Sequence, residues 1–202
     1  MFGPRTRTTL AGTGIAVALL MAGCSNGDDT ASPATTTMSG MNHGGGTTTA
    51  DAGFADADIT FLQMMYPHHA QALDMAKLVP GRSPNPQVIA LAAEIEKAQA
   101  PEMQQITDLL RAAGRPAPSA DMGHDMPGMM THDEMTALQG LSGADFDREW
   151  LRMMIAHHQG AVTMSDTELT DGRDARTKAL AQAIVTAQQA EIDRMHTLLT
   201  QS

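Results

Sequence analysis

From Asp58 onward, apolar and polar positions recur with the period of an α-helix. At roughly 100° per residue, Phe61, Met65, His68, Ala72, Met75 and Val79 share one side, flanked by Leu62, His69 and Ala76. Gln63, Ala70, Asp74 and Lys77 fall opposite, which makes the helix amphipathic. Pro80-Gly81 stops it, and Ser83-Pro-Asn-Pro86 reads as loop. A second helix is predicted from about Gln87 to Ala113, with Ile95, Gln99, Glu102, Ile106, Leu109 and Leu110 on one side. Gly114-Arg-Pro-Ala-Pro118 ends it. Ser142 or Asp145 can cap a third helix that runs to about Leu169, where Asp171-Gly172 breaks the pattern. A fourth covers about Asp174 to Leu199. No segment of this region shows the sustained alternation of a strand.

The pattern occurs twice. Phe61-Leu-Gln-Met-Met-Tyr-Pro-His-His-Ala-Gln-Ala-Leu-Asp-Met75 returns 89 residues later as Trp150-Leu-Arg-Met-Met-Ile-Ala-His-His-Gln-Gly-Ala-Val-Thr-Met164. The same shift carries Gln99, Glu102, Met103, Ile106, Leu109 and Leu110 onto Gln188, Glu191, Ile192, Met195, Leu198 and Leu199. An internal repeat of this kind fixes architecture. Two helical hairpins, about 54–113 and about 145–201, bury their stripes against each other as an all-α four-helix bundle. A link of about residues 114–144 joins them. Pro67 and Pro101 stand inside the first copy's helices where the second copy has Ala156 and Ala190. An interior proline removes a hydrogen-bond donor, so a kink is expected at Pro67.

The first 23 residues read as a signal peptide. Arg5 and Arg7 precede an apolar stretch from about Leu10 to Met21, shorter than the ~20 residues a bilayer span needs. It ends in Leu20-Met-Ala-Gly-Cys24, which resembles the lipobox of bacterial lipoproteins and implies cleavage before Cys24 and lipid attachment to it. Residues 24–53 are rich in Ser, Thr, Gly, Ala and Asp, and their composition predicts a flexible tether. Cleavage leaves 11 basic side chains against 23 acidic, a net charge of −12. That balance argues against nucleic acid and against a polybasic membrane patch, so membrane contact comes from the lipid anchor alone. Cys24 is the one cysteine, so no intramolecular disulfide can form. With one Trp, one Tyr and four Phe, the core must be filled by Leu, Ile, Val, Ala and Met.

The chemistry lies in what interrupts the apolar stripes. Both histidines of each pair, His68 with His69 and His157 with His158, fall near the middle of the buried side. On the second helix of each hairpin, Gln99 with Glu102 and Gln188 with Glu191 do the same. A buried imidazole or carboxylate without a partner costs several kcal/mol, so these groups should meet each other or a metal. Each histidine has a methionine four residues earlier: Met64, Met65, Met153 and Met154. Thioether plus imidazole is a soft ligand set that suits Cu(I) and, by the same softness, Ag(I). Adjacent histidines point roughly 100° apart, so one of each pair can face inward and the other a neighbouring helix. Met75 and Met164 extend the stripe as core. The theme returns outside the helices in Met38-Ser-Gly-Met-Asn-His43, and in the link at Met122, His124, Met126, Met129, Met130 and His132, a solvated loop able to recruit or hand on an ion.

At these residues the chain resembles the family known as domain of unknown function 305. Its repeated signature is a Met-x-x-His-His helix followed by a Gln-x-x-Glu-Ile/Met helix. Here these are Met65-Tyr-Pro-His68-His69 with Gln99-Ala-Pro-Glu102-Met103, and Met154-Ile-Ala-His157-His158 with Gln188-Gln-Ala-Glu191-Ile192. The resemblance spans about residues 54–201. It implies a ferritin-like bundle, secreted or lipid-anchored, with some members tied to copper binding and resistance. The Glu-x-x-His of di-iron members of the ferritin-like fold is not spelled here, since Glu102 is followed at that spacing by Gln105 and Glu191 by Arg194. The expectation is an extracytoplasmic lipoprotein that sequesters or passes on copper without turnover. Its ligands would be the four histidines and four methionines, with Gln99, Glu102, Gln188 and Glu191 orienting the rings and a metal donor or acceptor protein as a possible partner. Two alternatives stay open: a dinuclear metal oxidoreductase, and a partner-binding bundle in which a His–Glu/Gln network needs no ion.

Overall fold

The computed structural model describes residues 53–116, 118–120 and 126–201. The expected signal peptide, nearly all of the tether, Cys24, Met122 and His124 lie outside them. The described residues form five α-helices: α1 (Asp56–Leu78), α2 (Pro86–Ala112), α3 (His132–Gln139), α4 (Gly143–Asp171) and α5 (Ala175–Leu199), with a short 3-10 turn, Val79–Gly81, after α1. Helices α1 and α2 run on through Pro67 and Pro101 without a break.

Local chemistry explains most of the boundaries. The Asn85 side chain accepts the Gln87 N–H at 2.9 Å, and Pro86 occupies the first helical position, where a missing N–H costs nothing. Asp174 caps α5 by accepting the N–H groups of Arg176 and Thr177 at 3.0 and 2.9 Å. Ser142 stands before α4 but makes no capping bond, contrary to the reading of the sequence. The Asp58 carboxylate accepts the Ala55 N–H at the start of α1. It also takes the N–H groups of Arg173 and Asp174, each at 3.0 Å, and so ties that start to the α4–α5 turn.

The link is not wholly a loop. Thr131 and Glu134 form a capping box, with Glu134 N–H on Thr131 Oγ1 at 3.3 Å and Thr131 N–H on Glu134 Oε2 at 2.8 Å, and α3 follows. Leu138 of α3 and Met130 before it are buried in the core. Met130 is therefore packing material and not the solvated thioether expected of the link.

Helices α1 and α2 form one hairpin and α4 and α5 the other; α1 lies against α4, and α2 meets α5. Trp150, near the start of α4, donates its indole N–H to the carbonyl of Met75, near the end of α1, at 2.9 Å. At the opposite ends Phe61 and Met164 border one cavity. Helices α1 and α4 are therefore antiparallel. Two apolar clusters result. One gathers Met75, Val79, Leu91, Ile95, Phe146, Trp150 and Met154; the other gathers Phe61, Leu62, Met65, Ile106, Leu110, Met164 and Ile184. On α1 the change of cluster falls between Met65 and Ala72, and on α4 between Ile155 and Ala161. The paired histidines occupy both of these junctions.

Candidate metal centre

All four paired histidines have 0 % exposure. His68 and His157 meet where α1 and α4 cross, their ring centroids 3.8 Å apart and their planes inclined at 37°. The outer two turn away toward the second helix of their own hairpin. His69 Nε2 lies 2.8 Å from Glu102 Oε2, and His158 Nε2 lies 2.8 Å from Glu191 Oε2. The inward and sideways split expected of adjacent histidines is thus observed in both hairpins.

Partner chemistry decides the tautomers. His68 Nε2 lies 3.1 Å from the carbonyl oxygen of Pro127, which can only accept. His68 therefore carries its proton on Nε2 and presents a lone pair at Nδ1. His69 and His158 likewise carry a proton on Nε2, because that nitrogen faces a carboxylate. The Nδ1 atoms of all three are buried without a hydrogen-bond partner, and neither ring nitrogen of His157 has one of normal geometry. Burial holds His68 down to about 3, helped by the positive charge His69 would carry, while the Pro127 carbonyl offsets only part. His157 lies well below the ordinary imidazole value, again through burial first and then through His68 and its other histidine neighbours. The inner pair is neutral at physiological pH and can donate lone pairs, as a metal ligand must.

A strap of the link seals this pair. Gly128 sits at φ +77°, and a Cβ there would meet the Ala156 carbonyl at 2.4 Å and the His157 Cα at 3.0 Å. A Cβ on Gly160 would meet the Pro127 carbonyl oxygen at 1.9 Å. Only two glycines allow so close a crossing. On α1, Gln71 grips the strap from both sides: its Nε2 donates to the Met130 carbonyl and its Oε1 accepts the Met130 N–H, each at 2.7 Å.

The sequence matches the family described as domain of unknown function (DUF305) over residues 58–199. The chain belongs to that family. A DUF305 fragment from Deinococcus radiodurans, solved by crystallography, is 35 % identical with a TM-score of 0.67, covering 73 % of this chain and 98 % of that one. CopM in its Cu(I)-bound form is 30 % identical with a TM-score of 0.62, covering 71 % of this chain and 96 % of that one. CopM has also been solved with Cu(II) and with Ag bound. Uncharacterized protein L153 of Acanthamoeba polyphaga mimivirus is 42 % identical over 53 residues, 26 % of this chain; the match spans about a third of that protein, 35 %.

In this DUF305 chain the expected site residues are only partly gathered. Met65 and Met154 are fully buried on opposite sides of the histidines, one in each cluster. Met153 is buried with Met154, while Met64 is half-buried beside Phe61. Gln99 and Gln188 were expected to orient imidazoles, yet neither amide finds a hydrogen-bond partner among the described residues; only the glutamates hold rings. Met129, Met130 and His132 line a cavity of about 260 Å³ beside Pro67 and Gln71, with His132 exposed at the start of α3. Met126 is half-buried in the strap. Among the described residues, no three His, Cys, Asp or Glu side chains converge on one point. A soft ion held here would need thioethers among its ligands.

The strap contacts went unread in the sequence, although a signal existed. Gln71 and Gly160 occupy equivalent positions 89 residues apart, so their mismatch marks where one copy grips the link and the other makes room for it.

Proposed function

We propose that this protein is an extracytoplasmic, lipid-anchored copper-binding protein that captures Cu(I) for sequestration or transfer and carries out no turnover. The observation that carries this reading is the junction of two neutral, fully buried imidazoles, His68 and His157, with unpartnered ring nitrogens 0 % exposed to solvent. Groups so placed are costly unless something binds them. His69 and His158 add two more buried Nδ1 atoms without a hydrogen-bond partner. Their Nε2–H···carboxylate bonds to Glu102 and Glu191 repeat the arrangement in which a carboxylate fixes a metal-binding imidazole. The residues present therefore fit a soft ion: His68 and His157 at the centre, His69 and His158 beside them, and Met64, Met65, Met153 and Met154 supplying thioethers one turn away. Relatives solved with Cu and Ag bound support the same direction.

An ion reaching His68 has to pass the strap at Pro127–Met130. Met126, Met129 and His132 stand at that crossing and would receive the ion from solvent before it moves inward. A dinuclear oxidoreductase would need Glu102 and Glu191 on the same centre as the inner imidazoles, whereas each is bound to an outer one. No helix among the described residues is long and apolar enough to cross a membrane. Membrane attachment in this reading rests on Cys24.

The test is titration of the protein with Cu(I) against a competing chelator, compared with the His68→Ala, His69→Ala, His157→Ala, His158→Ala quadruple variant. Tighter or additional binding by the parent is the expected result. Binding no greater than that of the variant would end the proposal.

A further inference from the structure

A layer of polar groups crosses the middle of the bundle. Helices α1 and α4 cross at His68 and His157, which are equivalent residues of the repeat. The outer helices bring an amide pair to the same level. Each hairpin is antiparallel, as are α1 and α4, so α2 and α5 run antiparallel too. The Arg194 guanidinium on α5 pairs with the Glu94 carboxylate on α2. Counting inward from that contact, Gln99 stands level with Gln189, next to Gln188. Gln99 and Gln188 are again equivalents, 89 residues apart. Equivalent residues that stand level with each other lie on the axis relating the two hairpins, so the two imidazoles and the two amides belong to one layer.

Gln99 and Gln188 are 1 % and 2 % exposed, and among the described residues neither the oxygen nor the nitrogen of either amide has a hydrogen-bond partner. An amide so placed is costly unless something polar or charged meets it. A leucine of similar size would fill the space without that cost, yet both copies of the repeat carry the amide. The layer has no carboxylate of its own. Glu102 and Glu191 stand one turn away on α2 and α5, and each is engaged by an outer ring. An ion between the inner rings therefore meets nitrogen lone pairs and amide oxygens, all uncharged. The cost of taking an ion out of water rises steeply with its charge, so such a layer accepts a monovalent ion far more readily than a divalent one.

We propose that Gln99 and Gln188 set the charge selectivity of the histidine centre: their carboxamides offer polar oxygens to a bound monovalent soft ion without the negative charge that would admit a divalent one. The proposal rests on the reading of the protein as a Cu(I) binder and names what keeps divalent ions out of the same site. A glutamate at either position would join imidazole nitrogens to a carboxylate oxygen, a ligand set that suits Zn(II).

The experiment uses the full chain with 15N-labelled histidine rings, titrated separately with Ag(I) and Zn(II). The His68 and His157 signals report the centre alone, so zinc held elsewhere on the acidic surface is not counted. In the parent these signals should follow Ag(I) and stay still with Zn(II). Gln99→Glu and Gln188→Glu should each tighten Zn(II) at the inner rings by about tenfold or more. Gln99→Leu and Gln188→Leu, which keep the layer uncharged but remove the amide oxygen, should weaken Ag(I) several-fold and still refuse Zn(II). Thermal melts of the metal-free variants show which of them fold, and the leucine pair carries the test if a glutamate variant does not. Zn(II) reaching the inner rings of the parent as readily as Ag(I) would overturn the proposal and leave the histidine centre standing. So would glutamate variants with an unaltered preference for Ag(I) over Zn(II), or leucine variants with an unaltered Ag(I) affinity. Inner rings of the parent that respond to neither ion would bring down this proposal and the Cu(I) reading together.

Discussion

The two ends of the bundle are built from equivalent residues and do opposite things. At one end Trp150, Met75 and Val79 are all 0 % exposed, the indole is bonded to the α1 backbone, and Phe146 and Leu138 close the core. At the other end the equivalents are Phe61, Met164 and Glu168, and a cavity remains. The phenyl ring of Phe61 is smaller than the indole of Trp150, and the cavity lies beside it. Between the ends the outer rings are held alike from either side, each by a 2.8 Å bond to its glutamate, while of the inner pair only His68 is bonded to the strap. Conservation of shape within the repeat thus marks the centre, and divergence marks where one end was left open.

The largest expected effect tests the filled end. Trp150→Ala should cost about 3–5 kcal/mol, as full truncation of a buried aromatic does, and Phe61→Ala should cost less because its surroundings already contain a cavity. Urea denaturation of the two variants decides this, and equal losses would erase the contrast. Next comes the strap. Gly160→Ala should cost about 1–3 kcal/mol by forcing Pro127 away, and should speed hydrogen exchange at the Met130 amide, which Gln71 now protects. Unchanged exchange would mean that the strap does not rest on that glycine.

The centre should behave symmetrically where the ends do not. Glu102→Gln and Glu191→Gln should each lower Cu(I) affinity on the order of 10–100-fold, and by similar factors. A large effect from one and none from the other would show that a single hairpin holds the ion. Smallest per unit of pH is the titration of the apo protein. His68 has a folded value of about 3 against the ordinary 6.5, so its stability contribution is complete above 6.5 and is lost as pH falls toward 3, by roughly 1 kcal/mol per pH unit. Glu168 works in the other sense. Its folded value is raised to about 8 from 4.5, so its contribution is complete below 4.5 and is lost as pH rises through 8. Thermal melts across pH should show both limbs, and Glu168→Gln should flatten only the alkaline one.

Four helices, two hairpins and the burial of the histidines were legible because period and repeat reinforce each other over long segments. Contact between the histidines and the second-helix acids followed from opposing donors and acceptors on facing stripes, whereas the choice of His69 with Glu102 and His158 with Glu191 came from the structure. Gln99 and Gln188 are buried on the expected helix face, but among the described residues their amides have no hydrogen-bond partner. Helix α3 was missed although Thr131-His-Asp-Glu134 spells its capping box, because eight residues are too few for periodicity to declare. The strap was invisible for another reason. It rests on backbone carbonyls and on two glycines from distant segments, and close backbone approach leaves no hydrophobic pattern.

The most direct measurement is X-ray absorption at the copper edge of the Cu(I)-loaded protein beside its His68→Ala, His157→Ala double variant. Imidazole scattering together with thioether sulfur in the parent, and loss of the imidazole part in the variant, is the predicted result. A copper environment of sulfur or oxygen alone, unchanged when both inner rings are removed, would contradict the claim that the buried pair is where the metal binds.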